Sequence, residues 1–231
     1  MPDVAVVTLT GFADIFDRFQ SYLYRYEPDA LRILVTSRNV EIPIPRGRWK
    51  FLCGVEPFIY ARNANIGIKF AGDSDVLLVN DDVQFQHCGT IQALSDVAYS
   101  DPSIGIVSPR VIGGVGNNEQ KWNPRVNQLH PVSICQRPYL AFVCVYIKRI
   151  VFDTIGLFDE SFDGYGAEDE DLSQRAHNAD FKLAVANHAV VKHGFGQHQS
   201  SASFARTMGS TAASMAAMRQ KFREKHALAV K

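Results

Sequence analysis

The chain has 231 residues, 46% of them hydrophobic and 21% charged, enough for one sizeable buried core or at most two small ones. Its 24 Lys and Arg balance its 24 Asp and Glu, so neither nucleic acid nor an anionic membrane surface is indicated as a general partner. No apolar run approaches the ~18 residues of a membrane span; the N-terminus lacks the layout of a signal peptide; and Cys53, Cys88, Cys135 and Cys144 form no CxxC pair, which together predict a soluble cytoplasmic domain with reduced thiols.

Residues 3–10 (DVAVVTLT) predict an apolar strand ending in hydroxyls before Gly11. Phe12, Ile15, Phe16, Phe19, Leu23 and Tyr26 then fall at helical spacing, and Glu27-Pro28-Asp29 stops that helix. Residues 31–36 (LRILVT) predict a second buried strand, so the chain opens strand–helix–strand, the pattern of a parallel crossover. The first turn has no GxGxxG, which argues against an ordinary dinucleotide-binding domain. Residues 37–50 read as an irregular loop and 61–71 as a helix.

The stretch 73–85, DSDVLLVNDDVQF, organises the rest. Val76 to Val79 fit a strand covered on both faces in a parallel sheet, and the run stops abruptly at Asn80-Asp81-Asp82. Ligands of open α/β sheets bind just beyond the carboxyl ends of the strands. Two adjacent carboxylates there repel each other until a cation arrives, and a divalent ion with oxygen ligands would also hold a phosphate-bearing substrate. The alternative is a solvated acidic turn after a core strand. Beyond it, 88–99 predict a helix and 104–108 a short strand. Residues 113–136 lose periodicity and contain glycines, amides, Trp122 and two prolines; they predict a long loop that orders on substrate binding. A strand over 138–148 and a helix over 149–155 follow.

Residues 158–175, FDESFDGYGAEDEDLSQR, admit two readings. Asp159, Ser161, Asp163, Gly164 and Glu170 fall near the offsets of an EF-hand calcium loop. Ser161 stands where a stronger ligand is usual and no second hand exists, so that match reads as coincidence. The other reading has Gly164-Tyr165-Gly166 delivering Glu168-Asp169-Glu170-Asp171 to the first turn of a helix. The helix dipole accounts for one or two such carboxylates, less well for four. Residues 181–186 predict a strand. His193 lies between the apolar Val190-Val191 and a flexible turn; a lone histidine is more often structural, and it gains a role only if it reaches the Asp81-Asp82 mouth. Finally Phe204, Met208, Thr211, Met215, Met218 and Phe222, alternating by four and three, predict a packing stripe on a C-terminal helix entered near Ser200 and Ser201. Residues 219–226 are basic and read as solvated. This divides the chain into a domain over 1–199 and a helix over 200–231 that packs on it or serves a homo-oligomer.

Taken in order, ARN at 61–63, DSDVLLVNDD at 73–82, FDESFDGYGAEDEDLSQR at 158–175 and His193 resemble the family 2 glycosyltransferases. The resemblance covers roughly residues 3–195. It implies an α/β fold: a single GT-A (Rossmann-like) domain with a mostly parallel central sheet flanked by helices. It also implies an inverting, metal-dependent transfer of a sugar from a nucleotide-diphosphate donor, UDP above the others, to a hydroxyl of a glycan or other acceptor. Matched position by position, Asp82 falls in the metal-binding place of the family's DxD-type motif, whose first position is Asn80 here, and His193 completes the metal site for Mn²⁺ or Mg²⁺. Asp169 is the general base of the Glu168-Asp169 pair. Arg62, Asn63, Asp81, Arg175 and Thr8 fall on the donor-binding side. Thr36-Ser37-Arg38-Asn39 departs from the acidic residue that relatives carry near the base. The rival readings are a sugar nucleotidyltransferase, which the first loop Thr8-Leu9-Thr10-Gly11-Phe12 disfavours for want of a Gly-rich basic sequence, and a non-catalytic calcium- or glycan-binding module resting on 159–170.

Overall fold

The computed structural model describes residues 3–36, 41–42, 47–113, 116–123, 130–195 and 211–227. Its first half follows from strongly apolar strands separated by amphipathic helices. Strand β1 (Val4–Thr10) leads through helix α1 (Ala13–Tyr26) to β2 (Leu31–Thr36), and β3 (Trp49–Cys53), helix α2 (Tyr60–Phe70) and β4 (Asp75–Asn80) follow. All pairs among these strands are parallel, in the order β3-β2-β1-β4. Side chains alternate across the sheet with the period of two that a pleated strand dictates. Ala5, Val7, Val76 and Leu78 face one core with Ala61, Ala64 and Ile68 of α2. Val6, Leu77 and Val79 face the other with Phe16, Phe19 and Leu23 of α1.

The second half is built differently. After β5 (Val83–Phe85) and helix α3 (Thr90–Ser100) come β6 (Ile104–Ile112), β7 (Val132–Ile134), β8 (Cys144–Ile147), helices α4 (Arg149–Ile155) and α5 (Glu168–Asn178), strand β9 (Lys182–His193) and helix α6 (Thr211–Ala227). The expected central sheet flanked by helices is present, α1 and α3 covering one face and α2, α4 and α5 the other. Its parallel pairing is interrupted: β8 lies antiparallel between β4 and β6, and β9 pairs parallel with β6 but antiparallel with β5 and β7. Among the described residues no helix is long and apolar enough to cross a membrane.

Three local differences from the sequence expectations have physical causes. The expected loop over 37–50 gives way at Trp49 to a strand, 49–53, of which 51–53 carried no expectation; β3 is a half-exposed edge strand without a buried face to leave a periodic signal, and Trp49 anchors it edge-on to Phe16 at 5.0 Å. The strand expected over 138–148 begins only at Cys144, because residues 139–143 leave the ladder to wall a cavity. The described parts of the 113–136 region are pinned scaffold. The fully buried Gln120 donates to Ser108 Oγ and the Ala141 carbonyl, both at 2.9 Å, and accepts the Ala141 N–H at 2.8 Å, while 132–134 join the sheet as β7. Residues 114–115 and 124–129, Ser37 to Asn39, Ser200 and Ser201, Phe204 and Met208 lie outside the described residues.

A candidate active site at the mouth of the sheet

Strand register brings the acidic turn and the distant histidine together. β5 pairs antiparallel with the end of β9 so that Val83 lies opposite His193, which sets Asp82 beside the histidine; the Gly194 N–H donates to the Asp82 carbonyl at 2.8 Å. His193 Nε2 lies 3.2 Å from Asp82 Oδ1, both side chains almost fully buried. That approach lacks hydrogen-bond alignment, and Oδ1 has no hydrogen-bond partner. A buried carboxylate oxygen left without a donor costs on the order of 1–3 kcal/mol or more. A buried carboxylate oxygen without a donor, 3.2 Å from an imidazole nitrogen, fits a cation there. Gly113 permits the arrangement: its φ is +131°, and a Cβ on it would lie 3.0 Å from the His193 carbonyl oxygen.

Asp81 is held by the neighbouring strand. Leu9 of β1 is in register with Asn80, so Thr10 reaches Asp81, and its hydroxyl donates to Asp81 Oδ2 at 2.5 Å. Burial pushes the Asp81 carboxyl up to about 7, against the stabilising Thr10 hydrogen bond and with help from the adjacent Asp82 charge. Thr10, and not the candidate Thr8, is the β1 hydroxyl bonded to Asp81. Thr8 is fully buried two residues earlier in β1, its hydroxyl without a hydrogen-bond partner, and it does not line the cavity.

The facing wall comes from the 158–171 segment. Gly166 and Ala167, both with positive φ, turn the chain so that the first residues of α5 meet the sheet mouth. Glu168, Asp169 and Glu170 line one cavity of about 300 Å³ together with Asn80, Asp81, Asp82 and His193. Asp169 accepts the Glu170 N–H at 2.8 Å and the Phe142 N–H. Burial raises both Glu168 and Asp169 well above the usual carboxylate range, each aided by its acidic neighbour. Glu168 Oε2 and the Tyr60 hydroxyl are buried there without hydrogen-bond partners. Tyr60 and Tyr139 had no sequence signal, because each reads as an ordinary apolar-segment aromatic.

Of the remaining sequence candidates, none of Arg62, Asn63, Arg175 or Trp122 lines the cavity. Arg62 is a surface side chain 3.8 Å from Glu160. Asn63 accepts the Val55 N–H at 2.8 Å and holds the chain before α2. Arg175 spends its guanidinium on Asp171 at 2.8 Å and on the carbonyls of Ile155 and Leu157. The calcium-loop match is not supported by contacts, since Asp159 is bound by Lys225 at 2.8 Å and Glu170 faces the cavity instead; neither there nor at Asp82 and His193 do the described residues bring together three or more His, Cys, Asp or Glu that could hold a metal.

The basic segment 219–226, read as solvated, is only partly so: Arg219 lines the cavity, and Lys225 and His226 bind Asp171. Asp171 is fully buried; its Oδ1 receives Lys225 at 2.6 Å and His226 at 2.9 Å, while Oδ2 receives Arg175. The Tyr165 N–H donates to Ser214 Oγ at 2.7 Å, and a Cβ on Gly164 would meet that oxygen at 2.6 Å. Helix α6 thus sits close on the turn, and Met215 and Arg219 line the cavity.

No protein-family model matches the chain, and no curated protein matches it in sequence. Solved structures do. GalNAc-T7 with UDP, GalNAc and Mn²⁺ aligns with a TM-score of 0.66 at 14% identity, over 84% of this chain and 44% of that one. The mannosyltransferase PcManGT of Pyrobaculum calidifontis, in complex with GDP-Man and Mn²⁺, gives 0.64 at 15%, over 96% and 71%. TarS 1–349 of S. aureus gives 0.59 at 14%, over 89% and 63%. The chain therefore spans less than half the length of the first of these. At such identities the likeness carries the fold, the mixed α/β domain of GT-A glycosyltransferases.

Proposed function

We propose that the protein is a divalent-metal-dependent, inverting glycosyltransferase that moves a sugar from a nucleoside-diphosphate sugar to an acceptor hydroxyl. The observation that carries this reading is one cavity in which the partnerless Asp82 Oδ1 faces His193 Nε2 at 3.2 Å and Asp169 stands on the other wall. Asp82 and His193 would hold the metal, with donor oxygens completing its shell; such an ion, when bound, supplies positive charge to the departing diphosphate. The mixed oxygen and nitrogen donor pair suits manganese or zinc better than calcium.

The chain's own residues do the rest. Acceptor hydroxyls are poor nucleophiles until a base takes their proton. Asp169, raised by burial, is a stronger base than an ordinary carboxylate, yet a usable fraction remains ionised near neutrality. The proton passes to Asp169 while the acceptor oxygen bonds to the anomeric carbon. The bond to the diphosphate oxygen breaks on the opposite side, which inverts the anomeric centre. Phe142 N–H and Glu170 N–H orient the base. Thr10 fixes Asp81 beneath the same site.

The experiment is a thermal-shift screen of UDP, GDP, dTDP and CDP, each with and without Mn²⁺, followed by the anomeric configuration of any transfer product. A nucleotide at 100 times its Kd raises apparent stability by about 2.7 kcal/mol. One diphosphate standing out only with metal, and an inverted product, are expected; metal-independent binding or a retained configuration defeats the corresponding half of the proposal.

A further inference from the structure

Five carboxylates line the cavity (Asp81, Asp82, Glu168, Asp169 and Glu170), and Arg219 is the one Lys or Arg among the described lining residues. With so many anions on the same walls, an arginine would be expected to close on one of them. Among the described residues Arg219 makes no ion pair, although its charge opposes those of Asp169, Glu170 and Glu168 at the Tyr139 ring. Its placement is not accidental drift of a surface side chain. Ser214, Met218, Lys221 and Lys225 recur at four, three and four residues, the spacing of one helix face. Each is bound to the 159–171 segment: Ser214 to the Tyr165 N–H, Met218 Sδ to the Gly164 N–H at 3.4 Å, Lys221 to the Ser161 carbonyl, and Lys225 to Asp159 and Asp171. Four anchors on one face fix the rotation of α6. Met215 and Arg219, themselves four apart, are then turned together onto the cavity.

We infer that Arg219 is a phosphate-binding residue of the cavity, delivered by the anchored α6 helix to meet a phosphorylated ligand. A guanidinium presents a planar fork of donors that matches two phosphate oxygens at once, whereas a carboxylate-rich cavity repels the same group. The source of the phosphate is either the diphosphate of the donor or a phosphate borne by the acceptor, and the inference rests on the glycosyl-transfer reading for the presence of both.

Calorimetric titrations of the full chain and of Arg219→Ala and Arg219→Lys separate the sources. The probes are UDP and GDP with Mn²⁺, inorganic pyrophosphate with Mn²⁺, and glycerol 1-phosphate added to the nucleotide-saturated protein. Melting temperature serves as the folding control, and the exposed Arg219 is expected to leave it unchanged. A loss of tenfold or more in Arg219→Ala, partly restored in Arg219→Lys, is expected for at least one probe. Parallel weakening of nucleotide and pyrophosphate assigns Arg219 to the donor; weakening of glycerol 1-phosphate alone assigns it to the acceptor. Equal affinities of wild type and Arg219→Ala for every probe that binds overturn the inference. A wild-type chain that binds pyrophosphate but no nucleotide overturns the glycosyl-transfer reading instead, and Arg219 is then judged on pyrophosphate alone; a chain that binds none of the probes overturns both.

Discussion

The two walls of the cavity are made by different means. The inner wall, Asp81, Asp82 and His193, is set by strands: the acidic pair is the turn between β4 and β5, whose ladders to β1 and β9 fix its place, and Thr10 of β1 holds Asp81 from behind. Shifting one residue in register would turn each side chain to the other face. The outer wall, Glu168 to Glu170 with Tyr139, Met215 and Arg219, hangs on a turn and on a helix held by side chains. Strand-borne groups are cheap to position and hard to move. Helix-borne groups tethered by a buried carboxylate can be displaced by a single substitution, so the inner wall suits a fixed ion and the outer wall suits variable substrates.

Four substitutions and one titration probe that contrast. The largest expected effect is on the outer wall: Asp169→Asn keeps the shape but loses the basic oxygen, and transfer is expected to fall by ~10²–10⁴. Nucleotide affinity with Mn²⁺ should stay near wild type, because the proposed metal ligands are Asp82 and His193 and not Asp169; joint loss of both in paired assays would move Asp169 into ligand or metal binding. Next, Asp171→Ala leaves Arg175, Lys225 and His226 without their shared anion. Breaking a buried pair costs ~3–5 kcal/mol, and the low end, about 3 kcal/mol, applies because Lys225 is a third exposed. Chemical denaturation should show that loss, and limited proteolysis should open the 211–227 helix first; an unchanged digestion pattern would deny the tether.

On the inner wall, Asp82→Ala is expected to weaken Mn²⁺-dependent nucleotide binding by more than tenfold, about 1.4 kcal/mol, while leaving the metal-free affinity alone. Metal dependence surviving intact would remove Asp82 from the site. Gly113→Ala acts on the same wall from behind, forcing a Cβ against the His193 carbonyl at positive φ. It should destabilise the fold by more than about 1 kcal/mol and blunt the metal response as well, whereas a neutral melt would show that the β6 end yields freely.

The smallest effect is the pH response of the outer wall. Glu168 and Asp169 hold their protons to higher pH in the folded chain than in the unfolded one. Between the ordinary carboxylate range and neutrality the native state therefore binds more protons, so stability falls as pH rises through that window. Melting of the ligand-free chain should accordingly drop from pH 5.5 to pH 8, and Asp169→Asn should flatten the slope. An identical slope in the variant would say that other groups set it.

Much of the inner wall was legible in the sequence because strands write their burial plainly. Val76 to Val79 ending at Asn80-Asp81-Asp82 marked both the strand and its mouth, and motif order brought in His193. The register that joins Asp82 to His193, over a hundred residues apart, has no local signature. The arginines went the other way. Arg62 and Arg175 lay inside motifs and drew attention, yet one is a surface side chain and the other is consumed by Asp171 and two carbonyls. Arg219 sat in a basic run that reads like any solvated helix end, and only the anchoring face of α6 distinguishes it. Tyr60 and Tyr139 were invisible for the same reason: nothing in their neighbours separates a cavity wall from a core.

Asp171 divides its two oxygens between two clients, Oδ2 for Arg175 of its own helix and Oδ1 for Lys225 and His226 of α6. The last helix is therefore a cartridge. A different 17-residue helix carrying lysine and histidine at those two positions, and small or flexible anchors where Ser214 and Met218 stand, would seat on the same carboxylate. It would present new side chains at the places of Met215 and Arg219 without altering a single strand. Ligand preference in such a molecule can be exchanged by grafting one helix, leaving the chemistry of the sheet mouth as it was.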